Sequence, residues 1–333
     1  MAVVSIVMPV YNGGGYLRDT VNSILGQTFP EWELVCVNDS STDDSLTILE
    51  QYAAIDTRIK VYTTPNGGSA SNATHFGIGK IAPESIYYFY LSQDDLLSAD
   101  LLEKCVIRAR ETGAQAVMPD MEWYYEDRSF VKPANRQDYI GYRGDRGAII
   151  DGRTAFQGSI EYQVPGFFMV DLQVVRKVGF YDFSYNSIDA TGKLWLLYCE
   201  KVAFCDGRFF YRQDNNGAIT KKVSLQLFDA LQTNDWLYGY IDQHFGADCE
   251  LLGYVKHLQL DDLISRYGWL CKKNTLEPVK YRQAVERTKA AYVRFRAQGG
   301  YRAKGGVKER LKAWLINTSY ATFGLYARRV NGK

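Results

Sequence analysis

Two adjacent carboxylates, Asp94 and Asp95, follow the apolar run Ile86 to Leu91, and a third, Asp39, follows the run Leu34 to Val37. Paired acids at the end of such a run can hold a hard cation, Mn²⁺ or Mg²⁺, through one or two oxygens while phosphate oxygens and water complete its shell. That suits a reaction in which a nucleoside diphosphate departs, since its charge needs a cation or several Lys and Arg. The acids also have a plainer use, capping a following helix and meeting its dipole. Asp39 precedes Ser40-Ser41-Thr42-Asp43-Asp44, rich in capping types. Tyr11 and Asn12 stand before Gly13-Gly14-Gly15, a turn that lets backbone approach a ligand closely. The spaced glycines and distant acid of a dinucleotide fingerprint are missing, which counts against a dehydrogenase.

The elements that must position these residues alternate. Val3 to Val10, carrying Pro9, reads as a strand, and Leu17, Val21, Ile24 and Leu25 recur at helical spacing after it. Leu34 to Val37 is a second strand, followed by an amphipathic helix through Leu46, Leu49 and Ala53. Ile59 to Tyr62 and Ile86 to Leu91 read as further strands, with helices over about Ala70 to Lys80 and Ala99 to Arg110. Ala114 to Met118 predicts another strand, and Met121 to Gly147 a long functional loop. Strands apolar on both faces and separated by helices predict an α/β fold with a mainly parallel sheet flanked by helices. In such sheets ligands bind beyond the strands' carboxyl ends, where Tyr11-Asn12, Asp39, Asn66 and Asp94-Asp95 all fall. The expected organisation is a nucleotide-binding domain over residues 1–220 and a helical, basic C-terminal region over residues 221–333.

The net charge of +1 conceals an asymmetry: residues 1–220 hold 19 Lys+Arg against 28 Asp+Glu, and residues 221–333 hold 20 against 10. From Lys272 to Lys333 there are 16 basic and 3 acidic residues. This predicts contact with an anionic membrane surface or a phosphate-bearing acceptor, or self-association. The acidic first part, which would repel a polyphosphate backbone unless a cation intervened, argues against nucleic acid as a partner. Six scattered cysteines and three histidines offer no zinc or disulfide framework. The apolar opening lacks a basic leader and reads as a strand, and no apolar stretch reaches the ~20 residues of a membrane span. The expected location is cytoplasmic, peripheral at the inner face of the membrane.

Val4-Ser5-Ile6-Val7-Met8-Pro9-Val10-Tyr11-Asn12 and Leu34-Val35-Cys36-Val37-Asn38-Asp39-Ser40-Ser41-Thr42-Asp43 resemble the opening of the inverting family-2 glycosyltransferases. The likeness continues through Asn66-Gly67-Gly68, Ser92-Gln93-Asp94-Asp95, Gly179-Phe180-Tyr181-Asp182, Asp189 with Leu194-Trp195, and Phe210-Tyr211-Arg212. It covers roughly the first 220 residues and implies the GT-A nucleotide-diphospho-sugar transferase fold. The implied activity is metal-assisted, inverting transfer of a sugar from a nucleotide sugar to a hydroxyl of a glycan, lipid-linked saccharide or glycoprotein.

The resemblance also implies roles. Asp95 would contact the metal, and Asp94 the metal shell or the ribose hydroxyls. Asp39 would accept from the base, for which uracil's N3–H is suitable and guanine's donors are not excluded, so a UDP-sugar is favoured over a GDP-sugar. Pro9, Tyr11, Asn12 and Asn66 would line the donor pocket. His75 stands where relatives often carry Asn, and reads either as a ribose or sugar contact or as a structural residue. Arg212 would close over the diphosphate, with Asp214 where relatives often have His. Asp189 is the candidate general base, since an acceptor hydroxyl needs one within hydrogen-bond reach; Ile188 replaces a frequent Glu, and Asp182 is the competing assignment. Ser92 stands where many relatives have an acid, leaving fewer carboxylates for the cation. Val164-Pro165-Gly166-Phe167-Phe168 should edge the acceptor groove or belong to the core. Two other classes stay open: a sugar-phosphate nucleotidyltransferase and a catalytically silent sugar-nucleotide-binding scaffold.

Overall fold

Val4–Val10 and Trp32–Asn38 form β1 and β2, each buried at all seven positions, as expected of parallel strands with helices on both faces. The computed structural model describes residues 2–65, 67, 69–125, 139–181, 186–215, 217–218, 221, 223–246, 249–272, 276–303 and 305–332. The remaining strands are β3 (Ile59–Thr63), β4 (Tyr87–Tyr90), β5 (Leu96–Leu97), β6 (Ala116–Tyr124), β7 (Ile149–Ile150), β8 (Met169–Asp171) and β9 (Val202–Arg212). Among the described residues they build one nine-stranded sheet in the order β3-β2-β1-β4-β8-β6-β9-β5, with β7 on β9. Helices α1 (Leu17–Leu25), α2 (Ser45–Ile55), α3 (Ala70–Ile78), α4 (Leu101–Thr112), α5 (Gly152–Ile160), α6 (Leu172–Val178) and α7 (Ser187–Tyr198) are interleaved with the strands.

The first four strands are parallel to one another. β8 then runs antiparallel between β4 and β6, before β6 and β9 restore a parallel pair. The strand expected at Ala114 to Met118 runs from Ala116 to Tyr124, so the start of the expected loop is strand. Pro119 hides it: the β6–β9 register shifts between Met118 and Asp120, and a proline with no N–H to give the ladder is tolerated at such a bulge. Residues 126–138 of that expected loop lie outside the described residues, while Gly141 and Arg146 return to donate to the Asp120 carboxylate at 3.0 and 2.8 Å.

Pro9 sits in the central strand β1, where a missing donor should be costly. The odd positions of β1 point at β4, as Val7 shows by accepting from the Leu91 N–H. The β1–β4 ladder ends at Val7 and Tyr90, so Pro9 falls where no partner strand awaits a hydrogen bond. β2 also carries a polar residue into the interior. Glu33 is 3% exposed and accepts from Ser5, from the Ala82 N–H at 2.7 Å and from Lys60 Nζ at 2.6 Å.

The chain divides into two compact units, Met1–Phe183 with Ser187–Asn216, and Gly217–Lys333 with Ser184–Asn186. The first has its core around Ile6, Met8, Leu34, Phe89, Leu102 and Phe209. Helix α3 lies directly on its sheet: a Cβ at Gly77 would come within 2.5 Å of Val7 Cγ1 and 3.0 Å of Val37 Cγ2. The second unit is helical. It comprises α8 (Ala230–Phe245), α9 (Cys249–Cys271), α10 (Pro278–Ala297), α11 (Val307–Thr318) and α12 (Tyr320–Asn331) around Phe228, Leu260, Tyr292, Phe295, Ile316 and Phe323. Among the described residues no helix is long and apolar enough to cross a membrane.

Candidate active site

At the carboxyl end of β1 the chain turns through Tyr11 and Asn12, the latter in the left-handed region at φ 50°, which asparagine tolerates better than most residues. Asn12 ties this turn to the next one. Its N–H donates to Ser41 Oγ at 3.1 Å, and its Oδ1 accepts from the Thr42 N–H at 2.8 Å. The glycines continue the seam, Gly13 N–H donating to Ser45 Oγ and Gly14 N–H to Asp43 Oδ2. On the other side Gln93 bridges to the β4 loop, its Oε1 accepting from the Tyr11 N–H at 2.9 Å and its Nε2 donating to the Tyr11 carbonyl at 3.0 Å. Tyr11 itself is 48% exposed.

Asp39 caps no helix. Its buried carboxylate turns toward the β3 loop, where Oδ1 accepts from the Gly67 N–H at 2.9 Å and the Thr64 hydroxyl at 3.3 Å. Asn72 on α3 donates to the Gly67 carbonyl from the other side. Asn66, expected beside the donor, lies outside the described residues.

Asp94 and Asp95 also cap no helix, because β5 intervenes before α4 and pairs with the end of β9. β9 thereby brings Arg212 under the pair: its backbone N–H donates to Asp95 Oδ1 at 2.9 Å and its Nε to the Asp94 carbonyl at 2.9 Å. Asp95 is fully buried, and its Oδ2 has no hydrogen-bond partner among the described residues. Burial, reinforced by the neighbouring Asp94 carboxylate, pushes its pKa well above the usual carboxylate range, outweighing the opposing Arg212 and Ser92 contacts. Asn215 donates to Asp94 Oδ2 at 2.6 Å.

The Arg212 side chain is turned inward and 1% exposed. Its guanidinium lies 5.0 Å from the Tyr16 ring centroid and 4.9 Å from that of Tyr124, and reaches Asp214 at 3.4 Å and Asp19 at 3.5 Å. In this arrangement it braces the acid pair from below.

Among the described residues no group of three or more His, Cys, Asp or Glu forms a metal cage. The observed donors fit a different kind of cation site. An unpartnered oxygen of Asp95 next to the Asp94 carboxylate supplies one or two hard ligands, with phosphate and water left to complete the shell.

A family model described as Glycosyl transferase family 2 matches residues 5–179. The chain belongs to glycosyl transferase family 2. It is a glycosyltransferase, and GlyG of Streptococcus pneumoniae serotype 4 (strain ATCC BAA-334 / TIGR4) is similar to it at 25% identity over 284 residues, 83% of this chain and 89% of that one. Other bacterial glycosyltransferases match over 31% of this chain and 40% and 41% of their own lengths. Among solved structures, S. aureus TarS 1-349 in complex with UDP-GlcNAc has a TM-score of 0.66 at 16% identity, covering 98% of this chain and 92% of that one. The mannosyltransferase PcManGT from Pyrobaculum calidifontis, in complex with GDP-Man and Mn²⁺, has a TM-score of 0.54 at 13% identity, covering 98% and 86%. The fold is GT-A.

Among the described residues, the remaining expected ones of this glycosyltransferase lie on α3, on α7 and in the segment around Phe167. His75 is exposed on α3 and stacks on Phe180, with ring centroids 5.4 Å apart. Phe180 in turn meets Trp195 of α7, whose indole N–H donates to the Gly179 carbonyl at 2.9 Å. Asp189 lies in the first turn of α7, 43% exposed, and pairs with the buried Lys193 one turn on. Asp182 lies outside the described residues. In the expected groove edge, Val164 and Phe168 are buried in the core, while Phe167 is half-buried and stacks on Phe209 at 4.2 Å.

Sequence reasoning missed Gln93, Asn72, Asn215 and Lys193. Lys193 was visible as the i+4 partner of Asp189. Gln93 stood inside the Ser92-to-Asp95 motif, but only the fold shows that its amide grips the first loop.

Proposed function

We propose that this glycosyltransferase moves a sugar from a UDP-linked donor to a hydroxyl of a glycan, lipid-linked saccharide or glycoprotein, with inversion and with help from Mn²⁺ or Mg²⁺. The observation that carries the reading is the buried Asp95 carboxylate, whose Oδ2 has no hydrogen-bond partner among the described residues and lies beside Asp94 at the rim formed by the β1, β2, β3, β4 and β9 loops. PcManGT in complex with Mn²⁺ and TarS in complex with UDP-GlcNAc support a metal and a UDP-sugar by analogy of fold.

In this reading Asp95 and Asp94 hold the cation, which when bound supplies Lewis-acid stabilisation of the departing diphosphate. Pro9, Tyr11, Asn12 and Asn66 line the donor pocket, and Asp39 accepts from uracil N3–H. His75 edges the sugar side, while Arg212 holds the acid pair in place and reaches the diphosphate through loop movement. Asp189 takes the proton of the acceptor hydroxyl, whose oxygen attacks the anomeric carbon as the bond to the diphosphate oxygen breaks. A single displacement of this kind inverts the anomeric centre. The buried Lys193 orients the Asp189 carboxylate. The same proposal puts the reaction in the cytoplasm, on the strength of the scattered cysteine spacing.

Calorimetric titration of UDP in the presence of Mn²⁺ and then of EDTA tests the reading. Binding that weakens at least about tenfold in EDTA is the expected result. Equal affinity in both would remove the carboxylate–metal assignment.

A further inference from the structure

We propose that the outward face of α11 docks this protein on an anionic lipid bilayer. Val307, Leu311 and Trp314 are 82%, 53% and 56% exposed. They stand at positions i, i+4 and i+7 of one helix, and Thr318, also exposed, completes the row. At the helical period these four fall within a sector about 60° wide. Lys308 and Arg310, both exposed, lie on opposite flanks of that stripe. Nothing in the sequence spacing alone singled it out, because apolar residues at helical spacing ordinarily face a core.

The inner face of α11 is already satisfied, so the stripe is not a core face awaiting closure by its own unit. Ile316 is fully buried, and its carbonyl accepts from the Tyr292 hydroxyl at 2.9 Å. Asn317 accepts from the Tyr301 N–H at 2.9 Å and donates to the Tyr301 carbonyl at 2.6 Å. Tyr301 in turn donates its hydroxyl to Glu309. The helix is thus anchored through Ile316 and the Tyr301 and Tyr292 hydrogen bonds and presents its opposite face. On α12 Leu325 is 60% exposed, with Arg328 and Arg329 exposed on the following turn.

Charge identifies the occupant. With Lys308 and Arg310 exposed on either flank of the stripe, a second copy of the same face would meet like charge. A soluble polyanion would satisfy the cations but leave Trp314, Leu311 and Val307 in water. A bilayer with anionic headgroups satisfies both: Trp, Leu and Val enter the headgroup–acyl boundary while Lys and Arg stay among the phosphates. The inference deepens the expected anionic partner of the C-terminal region and is independent of which donor the first unit takes.

Flotation of the full chain with vesicles of phosphatidylcholine alone, or mixed with phosphatidylglycerol, tests it. The mixed vesicles should bind the chain and the neutral ones should not. The double variant Leu311→Ser/Trp314→Ser should lose at least about tenfold in partition, and Lys308→Gln/Arg310→Gln about fivefold per charge, with loss in high salt. UDP affinity and far-ultraviolet circular dichroism should stay unchanged in both. Equal partition of parent and apolar variant overturns the proposal. So does a parent that ignores vesicles but falls from dimer to monomer by light scattering when the stripe is changed, which would make a second copy the occupant.

Discussion

Arg212 donates its backbone N–H to Oδ1 of Asp95 at 2.9 Å, while Oδ2 of that buried carboxylate has no hydrogen-bond partner among the described residues. β9 therefore fixes the orientation of Asp95 through the main chain, independently of the Arg212 side chain. A buried carboxylate half-satisfied in this way is costly unless a cation or a proton joins it.

The first prediction follows from that cost. Because the folded pKa of Asp95 is raised, the group opposes folding above the ordinary carboxylate pKa, where the unfolded chain ionises freely. Asp95→Asn should therefore raise the melting temperature in EDTA, corresponding to about 1–3 kcal/mol, and abolish the upward shift produced by Mn²⁺ with UDP. Thermal melts with and without EDTA decide it. A variant that melts lower in EDTA yet still responds to Mn²⁺ would contradict the assignment.

Asp189→Asn should cut transfer by about 10²–10⁴-fold while leaving UDP affinity within about twofold. Lys193→Met removes the orienting ion pair and keeps the buried volume, so it should lower kcat by less than Asp189→Asn does, with donor KM little changed. Radiolabelled-donor kinetics on the purified enzyme compare the two. Substantial turnover by Asp189→Asn would move the base elsewhere.

Gln93→Ala deletes both bonds that hold the Tyr11 backbone. The expected cost is about 1–2 kcal/mol of stability, together with weaker UDP binding. Gln93→Glu keeps the acceptor for the Tyr11 N–H but sets a carboxylate against the Tyr11 carbonyl, so its UDP affinity should be no better than that of the alanine variant. Parental affinity in either would show that this loop does not need the amide.

At the opposite rim, burial alone would raise the Glu33 pKa, but Lys60, Ser5 and the Ala82 N–H outweigh it and hold it below the usual value. A depressed carboxyl pKa adds stability that is present above the unfolded value of about 4.3 and is lost as pH falls through the folded one. Lys60 is 39% exposed and is re-solvated when its partner is lost, so Glu33→Gln should destabilise the fold at pH 7 by about 1–3 kcal/mol and reduce the slope of stability against pH below about 4.3. Urea unfolding across that range measures both effects.

The α/β alternation was legible in the sequence because β1 and β2 are built on the apolar runs at residues 6–10 and 34–37, and the rim residues because each such run ends in a polar turn. Two features defeated the reading for different reasons. Pro119 disguised a long strand as a loop, since a bulge cannot be told from a terminus without the partner strand. The β8 strand is three residues long, too short to show periodicity, so the antiparallel insertion in the sheet was invisible. At the site, residue types announced the acids but not their partners. Arg212 reads as a phosphate ligand by type, and nothing in the sequence shows that its guanidinium lies between Tyr16 and Tyr124 or that its backbone holds Asp95.

The first loops are fastened to one another sideways, Asn12 to Thr42, Gly14 to Asp43, Tyr11 to Gln93, and Asp39 to Gly67. They form an open strap running from the β4 loop through the β1 and β2 loops to the β3 loop, so lengthening either middle loop demands slack from the neighbours on both sides. Insertions are therefore costliest in the β1 and β2 loops, where exchanges of one side chain for another are the gentler way to retune what is gripped.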